Sequence, residues 1–503
     1  MPLEPEYPDK APRSPVAPTT CWRTHHSVGG FWACRGRFPN MSTRELVAAL
    51  VPFDSTMSTA KRVRRTTLLL DREPLHVEYA MAHPKQRAHV AILAERIDAL
   101  RKAKSDQSLV ELQEDLIERM MTAQADQDAA KRQQAKLARQ RNADPAEVQR
   151  TDAELVVEDR IVRQLRAIGD GIAWHAARFH RQAFVVTAHE AGGGPMFGKQ
   201  GWASEVARAR GIWKSTGEVA IINGLTNCLR AADVTVFGKS GVRLEEVKSK
   251  ADSRRAGQKA RWRALESAIN TGTPYPTPGG PIQVWECPVQ LRTRIRTDLQ
   301  AAIEDADRVG TSTRQLGEGW ILMVTTRDGY RRNRSLTAQE VKQRRADAIA
   351  RAGMLKSPHH LRFASVDMVS RGAWSAPFSV FPLSPQDCAG LICDYTVYES
   401  LMSFDRFSDA VTRLGLQVEH HLPPAATTDD GSANFATLKS TRLHGSISRT
   451  RFLHLKASVV TQMLLELVEP SVYAKGYVEA MGHPMSPGAS GIIVFANERA
   501  AWR

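Results

Sequence analysis

Cysteine is scarce in this chain: six residues, Cys21, Cys34, Cys228, Cys287, Cys388 and Cys393, are spread over 503 positions. Only Cys388 and Cys393 lie close together, and no second Cys or His pair stands at a suitable offset, which argues against a structural zinc site. Thiols this sparse read as reduced and mostly buried, the usage of a cytoplasmic protein. Long apolar runs are missing as well. The stretch Gly319-Trp-Ile-Leu-Met-Val-Thr325 falls far short of the ~18 residues needed to span a bilayer, so no membrane segment is expected. The opening Met1-Pro-Leu-Glu-Pro-Glu lacks a basic start followed by an apolar run, so no secretory signal is expected either. Acidic residues are in deficit, with 54 Asp and Glu against 69 Lys and Arg, a formal net charge of +15. Such a surplus attracts phosphate and makes binding salt-dependent, although it is equally the mark of simple solubility.

The length allows roughly three units at about 150 residues each, and the 42% hydrophobic and 24% charged content is that of a soluble globular protein. Residues 1–40 are proline-rich without apolar periodicity and read as a disordered extension. Met41, an alternative start, precedes Ser42 and Glu45 at capping-box spacing, and a small N-terminal region with two short strands is expected over 41–84. Over 85–168, Val90, Leu93, Ile97 and Leu100, then Leu109, Leu112, Leu116 and Met120, recur at spacings of three and four, predicting helices. Asp144-Pro145 opens a further helix carrying Leu155, Ile161, Leu165 and Ile168, expected to end near Gly169-Asp-Gly171. This region fits a helical hairpin or coiled-coil arm through which a homodimer or partner protein would dock. An ordinary packed bundle fits it equally well.

Between 169 and 330, strands and helices alternate. Strands are expected at 183–187, 283–285 and 320–324, helices at 201–212, 254–270 and 297–308, a strand or helix start at 218–222, and a hairpin at 232–249. The pattern predicts an α/β fold, a mixed sheet flanked by helices. Residues 331–503 read as a second α/β or α+β domain, with a helix at 459–469, a strand at 491–495 and no legible role.

The hairpin carries the chemistry. Val234 to Phe237 favour a strand, Gly238-Lys-Ser-Gly241 a turn and Val242 to Lys248 a returning strand. With Phe237 opposite Val242, Asp233 falls opposite Glu246, their Cβ atoms about 4.5–5.5 Å apart, and Lys248 shares their face. Two carboxylates so placed can share one divalent cation. Mg²⁺ prefers hard oxygen ligands and keeps several waters, so Asp233 and Glu246, with the carbonyl of Val247, are the expected ligands, with Mn²⁺ as the expected substitute. Lys248 is the candidate to orient or deprotonate a water attacking a phosphodiester.

This arrangement resembles the PD-(D/E)xK (restriction endonuclease-like) nuclease superfamily, over 233–262 by residue pattern and over 185–330 by element order. Ala232 stands where the family motif has proline. Gln258-Lys-Ala-Arg-Trp262 is similar to the Gln-x-x-x-Tyr of some exonuclease branches, with Trp for Tyr. The resemblance implies a restriction endonuclease-like core and Mg²⁺-dependent hydrolysis of nucleic acid, DNA favoured, in repair, restriction or phage defence. It also implies a further glutamate from a helix preceding the Asp strand: Glu205 first, then Glu218 and Glu190. Gln258, Arg230, Asn227, Lys250, Arg254 and Arg255 are the expected nucleic-acid contacts, Arg230 for its planar fork of donors and the last three for their place beside the site. For Asn227 and Arg230 the alternatives are a turn-shaping and a solvent-facing role.

Two other classes compete. One is a non-catalytic nucleic-acid-binding or scaffold protein with a degenerate nuclease fold. Gly193-Gly-Pro-Met-Phe-Gly-Lys-Gln200 also approaches a nucleotide-binding P-loop, but Gln200 replaces the hydroxyl that should follow Lys199. His454-Leu-Lys456 has the His-x-Lys of phospholipase D-like phosphodiesterases, yet Thr461 stands where Asp is needed.

Overall fold

The computed structural model describes residues 82–503 except 141, 188–200, 248–254, 278–279, 334–335, 357–359, 366–374, 421–433, 445–446, 457–461, 483–489 and 496–503. The extension expected at 1–40, the capping box at 42–45 and the short strands before residue 81 lie outside the described residues.

Three helices come first: α1 (Pro84–Lys102), α2 (Asp106–Ala138) and α3 (Pro145–Ala176). The side chains of His83, Ser105 and Asp144 cap their first turns, and proline opens α1 and α3, where a missing N–H costs nothing. The apolar positions seen in the sequence, Leu93, Ile97, Leu100, Leu109, Leu116 and Met120, are all buried in the central core. Leu137, Ala153 and Leu155, at the outer end of the α2–α3 pair, are buried outside that core. The expected arm is therefore joined to the body along its inner half. Nor does α3 stop at Gly169. A Cβ there would lie 2.0 Å from the carbonyl oxygen of Leu225, and one at Gly171 would lie 2.6 Å from Leu100 and Ser379. These glycines allow close approach within a continuing helix rather than ending it.

Residues 183–187, expected as a strand, form the helix α4 (Gln182–Thr187), with every residue from Ala183 to Thr187 buried. A short, wholly buried run has no period to separate strand from helix. Next come α5 (Trp202–Thr216), which ends on Gly217 at φ 68°, and the strands β1 (Val219–Ile222), β2 (Val234–Gly238) and β3 (Gly241–Glu245). The hairpin belongs to a three-stranded antiparallel sheet, ordered β1-β2-β3. Both edges are already satisfied by side chains. Gln113 of α2 donates to Ala220 O at 2.9 Å and accepts from Ile222 N at 3.2 Å. On the far edge α6 (Arg255–Thr271) lends Asn270, which accepts from Val242 N at 2.8 Å and donates to Val242 O at 2.9 Å. Glu266 of the same helix accepts from Leu244 N at 2.6 Å. These groups occupy backbone donors and acceptors that a fourth strand would need.

The chain continues through β4 (Tyr275–Thr277) and β5 (Gly280–Cys287), then a π-helical turn (Ile295–Leu299) into α7 (Gln300–Val309). There follow β6 (Thr311–Gly317), β7 (Trp320–Thr326), α8 (Arg327–Arg332), α9 (Ala338–Arg351), β8 (His360–Ala364) and α10 (Pro385–Ile392). The last elements are β9 (Thr396–Ser403), α11 (Phe404–Thr412), β10 (Gln417–His420), β11 (Asn434–His444), β12 (Ile447–Lys456), α12 (Pro470–Gly482) and β13 (Ser490–Phe495). Of the helix expected at 459–469, residues 462–465 are helical.

The domain boundary expected at 331 runs through two sheets. β6 and β7 pair with β9 and β8 in an antiparallel sheet ordered β6-β7-β9-β8. β13 pairs in parallel with β5 in the order β13-β5-β4. All described residues fall in one compact unit, of α/β class. Among them no helix is long and apolar enough to cross a membrane.

Candidate active site

β2 and β3 pair from Val234 with Glu245 to Gly238 with Gly241, the register read from the sequence. The turn is Lys239-Ser240, and Gly241 takes φ 109°, open to a residue without Cβ. One position beyond the ladder, Asp233 N donates to Glu245 O at 3.1 Å. The Asp233 carboxylate accepts from Val247 N at 2.8 Å through Oδ2. Glu246 is held from the next helix: its Oε2 accepts from Gln258 Nε2 at 2.6 Å and from Trp262 Nε1 at 3.3 Å. Four residues apart on α6, Gln258 and Trp262 share one helix face. Trp in place of Tyr retains a donor at that position.

Glu205, only 7% exposed, lies in the first turn of α5. A Cβ built on Gly201 would stand 3.6 Å from Glu205 Oε1 and 4.0 Å from Val247 O. Glu205 and the Val247 carbonyl therefore flank one point, and Val247 is itself bonded to Asp233. Glu218 is at the opposite end of the hairpin. It is ion-paired with Arg243 at 2.7 Å, and that guanidinium holds its carboxyl below the usual range. Lys248, Lys250, Arg254, Glu190 and the P-loop-like stretch 193–200 lie outside the described residues. Arg255 opens α6.

The segment leading into Asp233 is bracketed from two sides. Asn223 donates its backbone N–H to Asp233 O at 2.9 Å, and its Nδ2 donates to Ala231 O and Ala232 O. Its Oδ1 accepts from Thr235 Oγ1 at 2.8 Å. Within this turn Ala232 adopts φ 63°, a conformation closed to a proline ring fixed near −65°. A proline could not stand at this position. On the other side, buried Asp170 of α3 accepts from Asn227 N at 2.6 Å, Asn227 Nδ2 at 2.9 Å and Cys228 N at 2.9 Å. Burial pushes the Asp170 carboxyl up, and these hydrogen bonds oppose it.

Three of the expected nucleic-acid contacts have partners within the chain. The Asn227 amide is committed to Asp170. The Nε of Arg230 turns back to Asn227 O at 3.3 Å. Gln258 serves Glu246. The role of Asp170 was hidden in the sequence because Gly-Asp-Gly looks like a helix stop. Its one local signal is a carboxylate between two glycines just ahead of an Asn-rich loop.

The donor set consists of hard oxygens, two carboxylates and a carbonyl, which suits Mg²⁺ keeping several waters. Among the described residues no group of three or more His, Cys, Asp or Glu side chains is arranged to hold a metal. No protein-family model, curated protein or solved structure matches the chain.

Proposed function

We propose that the protein is a metal-dependent nuclease that hydrolyses phosphodiester bonds, with DNA the favoured substrate, acting in the cytoplasm in repair, restriction or phage defence. The observation that carries this reading is the β2–β3 hairpin, at whose end Asp233 accepts from Val247 N, Glu246 accepts from Gln258 and Trp262, and Glu205 lies beside the Val247 carbonyl. Asp233, Glu246 and the Val247 carbonyl would hold Mg²⁺, or Mn²⁺ in its place. When bound, the ion supplies charge stabilisation to the phosphate oxygens.

The chain's own residues do the rest. The Val247 amide fixes one Asp233 oxygen, and Gln258 and Trp262 fix one Glu246 oxygen, so neither carboxylate has to be ordered during the reaction. Lys248, next in sequence after Val247, is assigned to orient the attacking water and take its proton, its ammonium form countering charge that develops on the phosphate.

Purified protein should degrade DNA with Mg²⁺ or Mn²⁺ and stop when EDTA removes the metal. Asp233→Ala and Lys248→Ala should each abolish cleavage and leave DNA binding in place. Cleavage that survives both substitutions overturns the site. Binding without cleavage in the wild type under both metals would leave the non-catalytic reading.

A further inference from the structure

Arginines buried elsewhere in the fold are neutralised by carboxylates, Arg181 by Glu466 at 2.7 Å and Arg160 by Asp394 at 3.2 Å. Arg327, the first residue of α8, is not. Its guanidinium lies over the Tyr395 ring, 5.1 Å from the centroid, and its Nη1 is buried without a hydrogen-bond partner among the described residues. Two more guanidinium groups stand beside it. Arg331 follows four residues later on α8, on the same side of the helix. Arg87 comes from α1, where the adjacent Gln86 is buried and donates to Gln164 of α3 at 2.9 Å. Among the described residues none of these three arginines is in an ion pair. Burial first, then Arg331 and, less strongly, Arg87 lower the Arg327 guanidinium to about 10, with Tyr395 and Asp328 acting the other way.

The cluster is fixed from beneath. Arg327 N donates to Tyr395 O at 2.8 Å, and Tyr395 N donates to Gly390 O at 2.8 Å. Arg160 donates to Cys393 O at 2.8 Å and to the Asp394 carboxylate at 3.2 Å, so α3 holds the turn that carries Tyr395. Arg87 is exposed, and Arg327 and Arg331 are half-buried, so solvent reaches the cluster. We infer that Arg327, Arg331 and Arg87 form a binding site for a phosphate monoester, the terminal phosphate of a nucleotide or of a nucleic-acid strand. The planar fork of a guanidinium matches phosphate oxygens. Three guanidinium groups against the single carboxylate acting on Arg327, that of Asp328, leave a surplus of two positive charges. A phosphate monoester carries about −1.5 to −2 at pH 7, whereas a carboxylate or an internal phosphodiester carries a single charge. No group assigned to cleavage belongs to this site, so the inference stands apart from the nuclease reading.

The test is isothermal titration calorimetry of the full chain in EDTA, at constant ionic strength, so that cleavage plays no part. The probes are inorganic phosphate, adenosine 5′-monophosphate, acetate, and a short single-stranded DNA ending in a 5′-phosphate or a 5′-hydroxyl. Affinity for the phosphate probes should fall roughly tenfold or more in Arg331→Ala and in Arg87→Ala, each of which removes a charge-assisted contact. A preference for the 5′-phosphate strand that disappears in both variants makes a strand end the source. Binding of the monophosphate without that preference makes it a free nucleotide. Each variant also takes a like charge away from Arg327, so in phosphate-free buffer it should melt no lower than the wild type. The inference is overturned if no phosphate probe binds, if acetate binds as tightly, or if both variants keep the wild-type affinities. It is equally overturned if both variants melt lower, because the cluster then serves the fold.

Discussion

In the four-stranded sheet, Glu399 of β9 is 2% exposed and accepts from both Nε and Nη2 of Arg345, at 2.8 and 2.9 Å, and from Arg362. Glu466, fully buried, is clamped in the same way by Arg181 at 2.7 and 2.9 Å and also accepts from Ala376 N. At the end of the β2–β3 hairpin, by contrast, the donors to Asp233 and Glu246 include a backbone amide, a glutamine amide and an indole. A guanidinium cancels the charge it binds, as a permanently buried carboxylate requires. A neutral donor fixes where an oxygen points without adding positive charge, which is what a carboxylate awaiting a cation needs. On the proposed reading the two regions differ in what their acids are for: holding the fold in one, holding a ligand in the other.

That contrast breaks most easily at Glu466. Glu466→Gln would leave the Arg181 guanidinium buried against Trp174 (5.0 Å to the ring centroid) without its counter-charge, and should cost about 3–5 kcal/mol of stability. Glu246→Gln should cost less than about 1 kcal/mol, in the range of a substitution outside the core, yet remove cleavage. Denaturant midpoints for the pair, with activity measured on the same samples, decide the matter. Equal losses of stability would erase the distinction between the two kinds of carboxylate.

A buried base in the helical region sharpens it from the other side. His89 of α1 is 5% exposed, and its Nε2 has no hydrogen-bond partner among the described residues. Burial first, then the charges of Arg119 and Lys85, lower its pKa to about 4. Because the folded value lies below the unfolded one near 6.5, the unfolded chain binds the extra proton between them. The stability linked to His89 is therefore complete above about pH 6.5 and is lost as pH falls toward 4, by at most about 3 kcal/mol. His89→Gln should remove that part of the acid dependence, read from denaturation curves across this range. An unchanged pH slope would show that His89 takes up its proton equally in the folded and unfolded chains.

The hairpin could be read from sequence because its information is local: alternating strand residues, a turn containing glycine, and a register fixed once Phe237 faces Val242. What supports it could not. Gln113 and Asn270 close the edges of the sheet from helices on either side in sequence, and nothing around either residue marks it as a surrogate strand. Asp170 and its glycines become legible only when Leu225 packs onto α3 from more than fifty residues away. The run 183–187 gave the wrong element because uniform burial erases periodicity. Strand pairing across residue 331 depends on long-range topology that no local pattern records.

The smallest effect concerns the two donors on Glu246. If Gln258 and Trp262 orient that carboxylate for a cation, removing both as Gln258→Leu with Trp262→Phe should raise the Mg²⁺ concentration needed for half-maximal cleavage about 10- to 100-fold, the usual consequence of losing the groups that orient a ligand. The rate at saturating Mg²⁺ should change much less, because neither side chain is assigned to the reacting atoms. Trp262→Tyr keeps a donor at the same helical position and should remain close to wild type. A fall in saturating rate with no shift in metal requirement would place Gln258 on the substrate instead, as the sequence alone suggested, and would leave Glu246 oriented by other means.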